Sequence, residues 1–169
     1  MSATESAKGM SEKPDYRKAL GRFATGITVI TVDREDGGIH GMTANAFTSV
    51  SLVPPQILVC VAENAVMLKR MAAVSRFGVT VLAGDQEAYS EYFARGLQDD
   101  AEARRLNISF GRSPFGTPLL DGGLATLDCK KVAAHVAGDH TVFIGEVDDL
   151  AWTDGDPLIY FAGQYRKLS

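Results

Sequence analysis

Cysteine is scarce in this chain of 169 residues. The two present, Cys60 and Cys129, lie far apart and form neither a CxxC nor a zinc-ligand spacing, which excludes a disulfide scaffold and a structural zinc site. Both sit in apolar runs and read as reduced core thiols of a cytoplasmic protein. Histidine is nearly as rare. His40 and His135 read as surface residues, and no carboxylate-rich segment joins them or His140 in a metal site. No basic cluster accompanies the net charge of −4, which argues against nucleic acid as a partner. No apolar run reaches signal-peptide or membrane length, so no membrane association is expected. GxSxG, GxGxxG and the phosphate loop GxxxxGKS/T are all missing, which removes the standard nucleophile elbow and the standard phosphate cradles.

What remains is ordinary for one globular domain, with 46% hydrophobic and 22% charged residues. The polar, small segment 1–14 reads as a mobile tail ahead of a domain over 15–169. "DYRKALGRFATG" has Tyr16, Ala19, Leu20 and Phe23 at helical spacing, with Gly26 as its stop. "ITVITV" (27–32) is β-branched and apolar on both faces, a buried strand. "DREDGG" reads as a hairpin loop. "QILVCVA" is another buried strand. Asn64 is placed to cap the helix "NAVMLKRMAAV", and Asp85 to cap "QEAYSEYFAR". "RFGVTVL" between them is a strand. "LQDDAEARRLN" reads as an exposed helical turn and "FGRSPFGTPLLDGG" as loop. "LATLDCKKVAAHV" and "HTVFIGEVDDLAW" are long strands joined across Ala137, Gly138 and Asp139. "DPLIYFAGQYRKL" is a last strand with a turn and tail. Six or seven strands and three helices, with strand often following strand directly, exclude a doubly wound parallel sheet. They favour a mainly β fold, an antiparallel barrel with short helices at its ends.

The most informative stretch is "GMTANAFTSVSLVPP" (41–55). Read as one strand, it puts Thr43, Asn45, Phe47, Ser49 and Ser51 on one face, where Thr43, Asn45, Ser49 and Ser51 offer a row of neutral donors and acceptors. Such a row suits a planar heterocycle with amide-like edges and an anionic tail, although a strand face that simply meets water has the same pattern. The helix start at Asn64 would add backbone donors and the positive end of a helix dipole. His140 follows Gly138 and Asp139 at the mouth of a strand pair. It reads equally as a side chain projecting into a cleft and as a half-exposed turn residue.

Taken together these segments resemble the flavin reductase-like family, the small reductase components of two-component flavin monooxygenases. The resemblance runs from about Tyr16 to Leu168. It is carried by "FATGITVIT", "GMTANAFTSVSLVPPQILVCV", "RFGVTVL", the "GDH" at 138–140 and "FAGQY" near the end. It implies a split antiparallel β-barrel and an NAD(P)H:flavin oxidoreductase that reduces FMN or FAD with NADH or NADPH. It also implies a homodimer, with the flavin near the subunit interface, and a separate oxygenase component as partner. Carried over by residue, it implies Thr43, Asn45 and Ala46 along the isoalloxazine edge. Ser49 and Ser51 would approach the ribityl phosphate, with Asn64 and Ala65 helping. Gly138, Asp139 and His140 would meet the nicotinamide, His140 being the catalytic-site histidine. Alignment of the two rings would supply the rate, with no side chain acting as acid or base. "ENAVM" stands where many relatives carry a basic or Ser/Thr-rich loop, which leaves FMN and FAD as alternatives. One rival reading is a reductase that keeps its flavin and serves another acceptor, such as a metal complex or a corrinoid. Another is a non-catalytic binding barrel, which the acidic balance disfavours.

Overall fold

The computed structural model describes residues 14–168. The expected tail therefore lies outside the described residues, except for Pro14. That residue opens helix α1 (Pro14–Leu20), where proline's missing N–H costs nothing. The helix is shorter than its apolar spacing suggests, and Tyr16, Leu20 and Phe23 stand exposed rather than in the core.

Seven antiparallel strands form the main sheet. They are β2 (Thr28–Asp33), β3 (Ile39–Ala44), β4 (Phe47–Leu52), β5 (Pro55–Ala62), β6 (Arg76–Val81), β9 (Ala125–Ala137) and β10 (His140–Trp152). Their order is β3-β2-β6-β9-β10-β5-β4. The two edge strands, β3 and β4, are consecutive in the chain and separated only by Asn45 and Ala46. At 3.8 Å between successive Cα atoms, Ala44 and Phe47 stand at most about 11 Å apart. A sheet whose opposite edges are tied so closely must roll up. The edges meet at this corner, where the Cys60 N–H donates to the Ala46 carbonyl at 3.1 Å, yet they share no ladder. The result is a split barrel.

The apolar alternation of β2 explains how the other elements attach. Ile30 and Val32 face one core with Val59, Val61, Phe77 and Phe143, and Met67 and Met71 of α2 (Val66–Ala73) seal it. Val29, with Ile27 just before the strand, faces a second core with Tyr92 and Phe93 of α3 (Glu87–Phe93), Leu120 and Leu158. The exposed helix α4 (Asp100–Arg105) is capped by the Asp99 carboxylate, which accepts from the N–H groups of Ala101 and Glu102.

The segment read as loop at 110–123 contains a hairpin, β7 (Phe110–Arg112) with β8 (Pro118–Leu120). A Cβ at Gly78 would come within 2.3 Å of the Pro118 carbonyl, so only glycine lets β8 cross β6 there. The chain end is likewise a hairpin, β11 (Ile159–Phe161) with β12 (Gln164–Arg166), and β11 also pairs with β1 (Thr25–Gly26). Neither helix uses the cap expected of it. Ala65 precedes α2 and Gln86 precedes α3, and neither side chain bonds the first turn.

Asp128 on β9 anchors the β7–β8 hairpin. Its carboxylate is fully buried and accepts from Ser113 Oγ at 2.5 Å, Thr117 Oγ1 at 2.7 Å and Arg76 Nε at 3.0 Å. Arg76 also pairs with Asp148 at 2.8 Å and lies over the Phe115 ring at 4.4 Å. Removing a buried partner strands the groups it satisfied, at a cost of about 3–5 kcal/mol. Asp128→Ala is expected to lower stability by that amount, read as a shifted midpoint in urea unfolding.

Candidate functional site

The stretch 41–55 is not one strand with one polar face. It turns the barrel corner at Asn45 and Ala46, and a bulge at Val50 interrupts β4. Ser49 pairs opposite Ile57 and Ser51 opposite Gln56, so by register the two serines fall on different faces. Thr43 is half-buried and its hydroxyl donates to the Ser90 carbonyl at 2.6 Å. Asn45 is exposed at the corner, and among the described residues its amide bonds to no protein group.

Asn45 and Thr43 border a small cavity of about 200 Å³ whose other walls include Ser90, Ala94, Tyr160 and Tyr165. The tyrosine rings meet edge to face, with centroids 5.6 Å apart. The Tyr165 hydroxyl and Ser90 Oγ are 2.9 Å apart. The motif "FAGQY" holds Tyr165 and is preceded by Tyr160, and nothing in the sequence pattern gives either tyrosine a role. Their place beside Asn45 depends on the β11–β12 hairpin folding back against α3, and local pattern does not carry that.

Five other expected positions, Asn64, Ala65, Gly138, Asp139 and His140, gather at the same rim. The Glu63 N–H donates to the Asp139 carbonyl at 2.9 Å, and His140 pairs opposite Ala62. The Asn64–Ala65 loop is thus tied to the turn at Gly138 and Asp139, where Gly138 takes a φ of +63°. His140 Nδ1 lies 2.7 Å from Asp139 Oδ1, and both side chains are exposed. This contact holds the Asp139 carboxyl below its usual range. Ala46 bonds to Cys60, two positions from Ala62, so the corner and the hairpin are separated by about 7 Å of strand. Ser49 and Ser51 run away from this rim. Ser51, opposite Gln56, is four positions below Cys60, about 13 Å along β5. The structure therefore brings Asn45, Ala46, Asn64, Ala65 and the 138–140 turn together, with Ser49 and Ser51 trailing down the edge strand.

Among the described residues no group of three His, Cys, Asp or Glu side chains is placed to hold a metal ion, and no helix is long and apolar enough to cross a membrane. His135 is exposed, as expected.

A family model described as "Flavin reductase like domain" matches residues 20–169. An NADH-dependent flavin reductase of a Rhodococcus species is 45% identical over 154 residues, covering 90% of this chain and 84% of that protein. The solved flavin reductase PheA2 in its native state is 40% identical with a TM-score of 0.84, covering 94% of this chain and 99% of that one. BorF, the flavin reductase component of a bacterial two-component tryptophan halogenase, is 40% identical with a TM-score of 0.82, covering 91% and 96%.

His40 departs from expectation. It is buried on β3 rather than exposed beside its turn. Burial, aided by the positive charges of Arg70 and Arg34, lowers its pKa from 6.5 to about 4. Below about pH 6.5 the unfolded chain takes up a proton that the folded chain refuses, so the stability His40 contributes is complete above that pH and falls as pH drops towards about 4. His40→Gln is expected to flatten this slope, read from urea midpoints between about pH 7 and about pH 4.5. An unchanged slope would assign the acid sensitivity to carboxylates elsewhere.

Proposed function

Because the chain belongs to the flavin reductase-like family, we propose that it is an NADH-dependent flavin reductase that releases reduced FMN or FAD to a separate oxygenase component. The observation that carries this reading is the convergence at one barrel rim of unpartnered neutral donors with the exposed Asp139–His140 turn. Asn45 and Asn64 are both exposed, and among the described residues their side chains make no hydrogen bonds that a ligand would have to break. That set fits the amide-like edge and polar tail of a flavin. Thr43 shapes the site through its bond to Ser90.

A bound flavin supplies a two-electron centre that accepts hydride from a nicotinamide. The chain's own task is to hold the two rings in register and to leave the site open enough for release. Asn45 and the backbone at Ala46 fix the ring edge, and Asn64 with Ala65 meets the phosphate, whereas Ser49 and Ser51, on different faces and leading away from the rim, do not hold the tail together. Gly138 gives the turn its shape, and Asp139 orients the His140 ring for the nicotinamide. A relative from Thermus thermophilus is the reductase component of a 4-hydroxyphenylacetate 3-monooxygenase, which supports the oxygenase partner. Two unpaired cysteines agree with a cytoplasmic place for the chain.

We further propose a homodimer. Leu52 and Val53 at the end of edge strand β4 and Val136 on the β9–β10 hairpin are 87%, 91% and 84% exposed. Apolar side chains at an unpaired edge are a surface that proteins normally cover.

The function is tested by stopped-flow with NADH under anaerobic conditions and by flavin titration. Asn45→Ala is expected to weaken flavin binding by about 0.5–1.5 kcal/mol. His140→Ala is expected to raise the KM for NADH, with little change in flavin Kd. Loss of flavin binding in the His140 variant, with nicotinamide kinetics intact, would reassign that residue. For assembly, light scattering is expected to report a dimer in the parent chain and a monomer in Leu52→Asp/Val53→Asp. A monomeric parent with full turnover would remove the interface from the site.

A further inference from the structure

Strand β3 forms one edge of the main sheet, and among the described residues no strand pairs with its outer side. Its outward backbone groups are nevertheless taken at Gly41. The Gln98 carboxamide donates from Nε2 to the Gly41 carbonyl at 2.5 Å, and its Oε1 accepts the Gly41 N–H at 3.3 Å. One side-chain amide thus makes both bonds that a neighbouring antiparallel strand would make to that residue. A Cβ at Gly41 would stand 2.5 Å from the buried Phe93 ring, so glycine lets α3 lie against the same edge. Two residues further along β3, the Thr43 hydroxyl donates to the Ser90 carbonyl of α3.

Gln98 belongs to the connection 94–99 between α3 and α4, and that connection is fastened at both ends. The Tyr92 hydroxyl donates to the Asp99 carbonyl at 3.2 Å. Arg95 makes a two-pronged pair with Glu102 of α4, at 2.7 and 2.8 Å. Just beyond α4, the Tyr89 hydroxyl donates to the Asn107 carbonyl at 3.2 Å. Ala103, Leu106 and Ile108 pack against the core that holds Val29, Tyr92 and Phe93. A side chain on so fixed a backbone can hold a strand in place, whereas one on a loose loop would only follow it.

We propose that Gln98 is a positioning residue for the barrel corner that receives the flavin. It does not touch the ligand. Gly41 lies four residues before Asn45, about 13 Å along the strand, and Gln98 is not among the walls of the cavity that Asn45 borders. Its action passes through β3. Gln98 at Gly41 and Ser90 at Thr43 hold the outer edge of the strand, and after Ala44 the chain enters the link of Asn45 and Ala46. An edge strand without such bonds opens from its unpaired side, and that motion would be delivered to Asn45. The ligand in this inference rests on the flavin reductase reading, whereas the hold on β3 does not.

The test is fluorescence titration of the full chain with FMN and with FAD, alongside steady-state turnover and amide hydrogen exchange. Gln98→Ala is expected to raise flavin Kd and KM about three- to tenfold. At saturating flavin its kcat is expected to stay within about twofold of the parent's, and the amides of residues 41–47 are expected to exchange faster. Gln98→Glu gives a second reading at the same side-chain length. A carboxylate accepts the Gly41 N–H but cannot donate to the Gly41 carbonyl, and protonation restores the donor. Its flavin Kd relative to the parent's is expected to be raised at about pH 8 and to fall back as pH drops towards about 5. Arg104→Gln, at an exposed position of α4, is expected to change none of these readings. A Gln98→Ala variant that unfolds earlier in urea yet binds flavin as the parent does would overturn the proposal. So would a Gln98→Glu ratio that stays flat across that pH range, which decides alone if the alanine variant does not fold. A parent chain that binds neither flavin would instead overturn the flavin reductase reading, and exchange at residues 41–47 would then decide the hold on β3.

Discussion

The short link at Asn45 and Ala46 is the constraint on which the rest of the structure depends. It ties the two edges of a seven-stranded sheet together, so the sheet must roll, yet it brings them together at one corner only. Below that corner the edge of β4 stays unpaired, with its bulge and its exposed apolar end. The same link therefore creates the closed wall that shelters the cores and the open edge available to a second chain. A longer connection would relieve the need to roll and would separate Asn45 from β5.

Strand β2 converts this geometry into a site with two flanks. Because it is buried on both faces, helices must cover it on both sides. The face bearing Ile30 and Val32 recruits α2, which brings Asn64 and Ala65 to the rim. The face bearing Val29 shares its core with α3 and the chain's C-terminal hairpin, which sets Tyr160 and Tyr165 beside Asn45. The two flanks belong to separate cores. A substitution that loosens one is expected to leave the other's contribution to the rim largely intact.

Much of this architecture was legible in the chain, and the limits of that legibility have physical causes. "ITVITV" announced a strand buried on both faces because its apolar pattern shows no polar side, and the long β9–β10 pair followed from alternation and a Gly-Asp turn. The stretch 41–55 misled because residue alternation continues smoothly across Asn45 and Ala46 while the backbone changes partner strands. Period-two patterning cannot reveal a corner, and it cannot reveal the Val50 bulge that puts Ser49 and Ser51 on different faces. The cap expected of Asn64 failed because the helix starts at Val66. His40 looked like a turn residue, and only the fold lays α2, with Arg70, over it. The tyrosines beside Asn45 were unreadable for the same reason, since the contact joins residues far apart in sequence.

The distribution of charge around the rim carries the last step. The groups nearest the barrel corner are neutral: an asparagine, small residues and hydroxyls. Lys69 and Arg70, which form no ion pair among the described residues, sit along α2 behind Asn64. Neutral hydrogen bonds each add only about 0.5–1.5 kcal/mol of net attraction, whereas charge-assisted contacts to phosphate are roughly twice as strong. A ligand with its ring at the corner and its phosphates towards α2 is therefore held mainly by its tail. Its ring stays lightly bound and accessible at an exposed rim. On the proposed reading the tail would set affinity and the neutral corner alignment, a division that suits a reductase whose product must leave. Moving a cation from α2 to the corner would tighten the grip on the ring and slow its release.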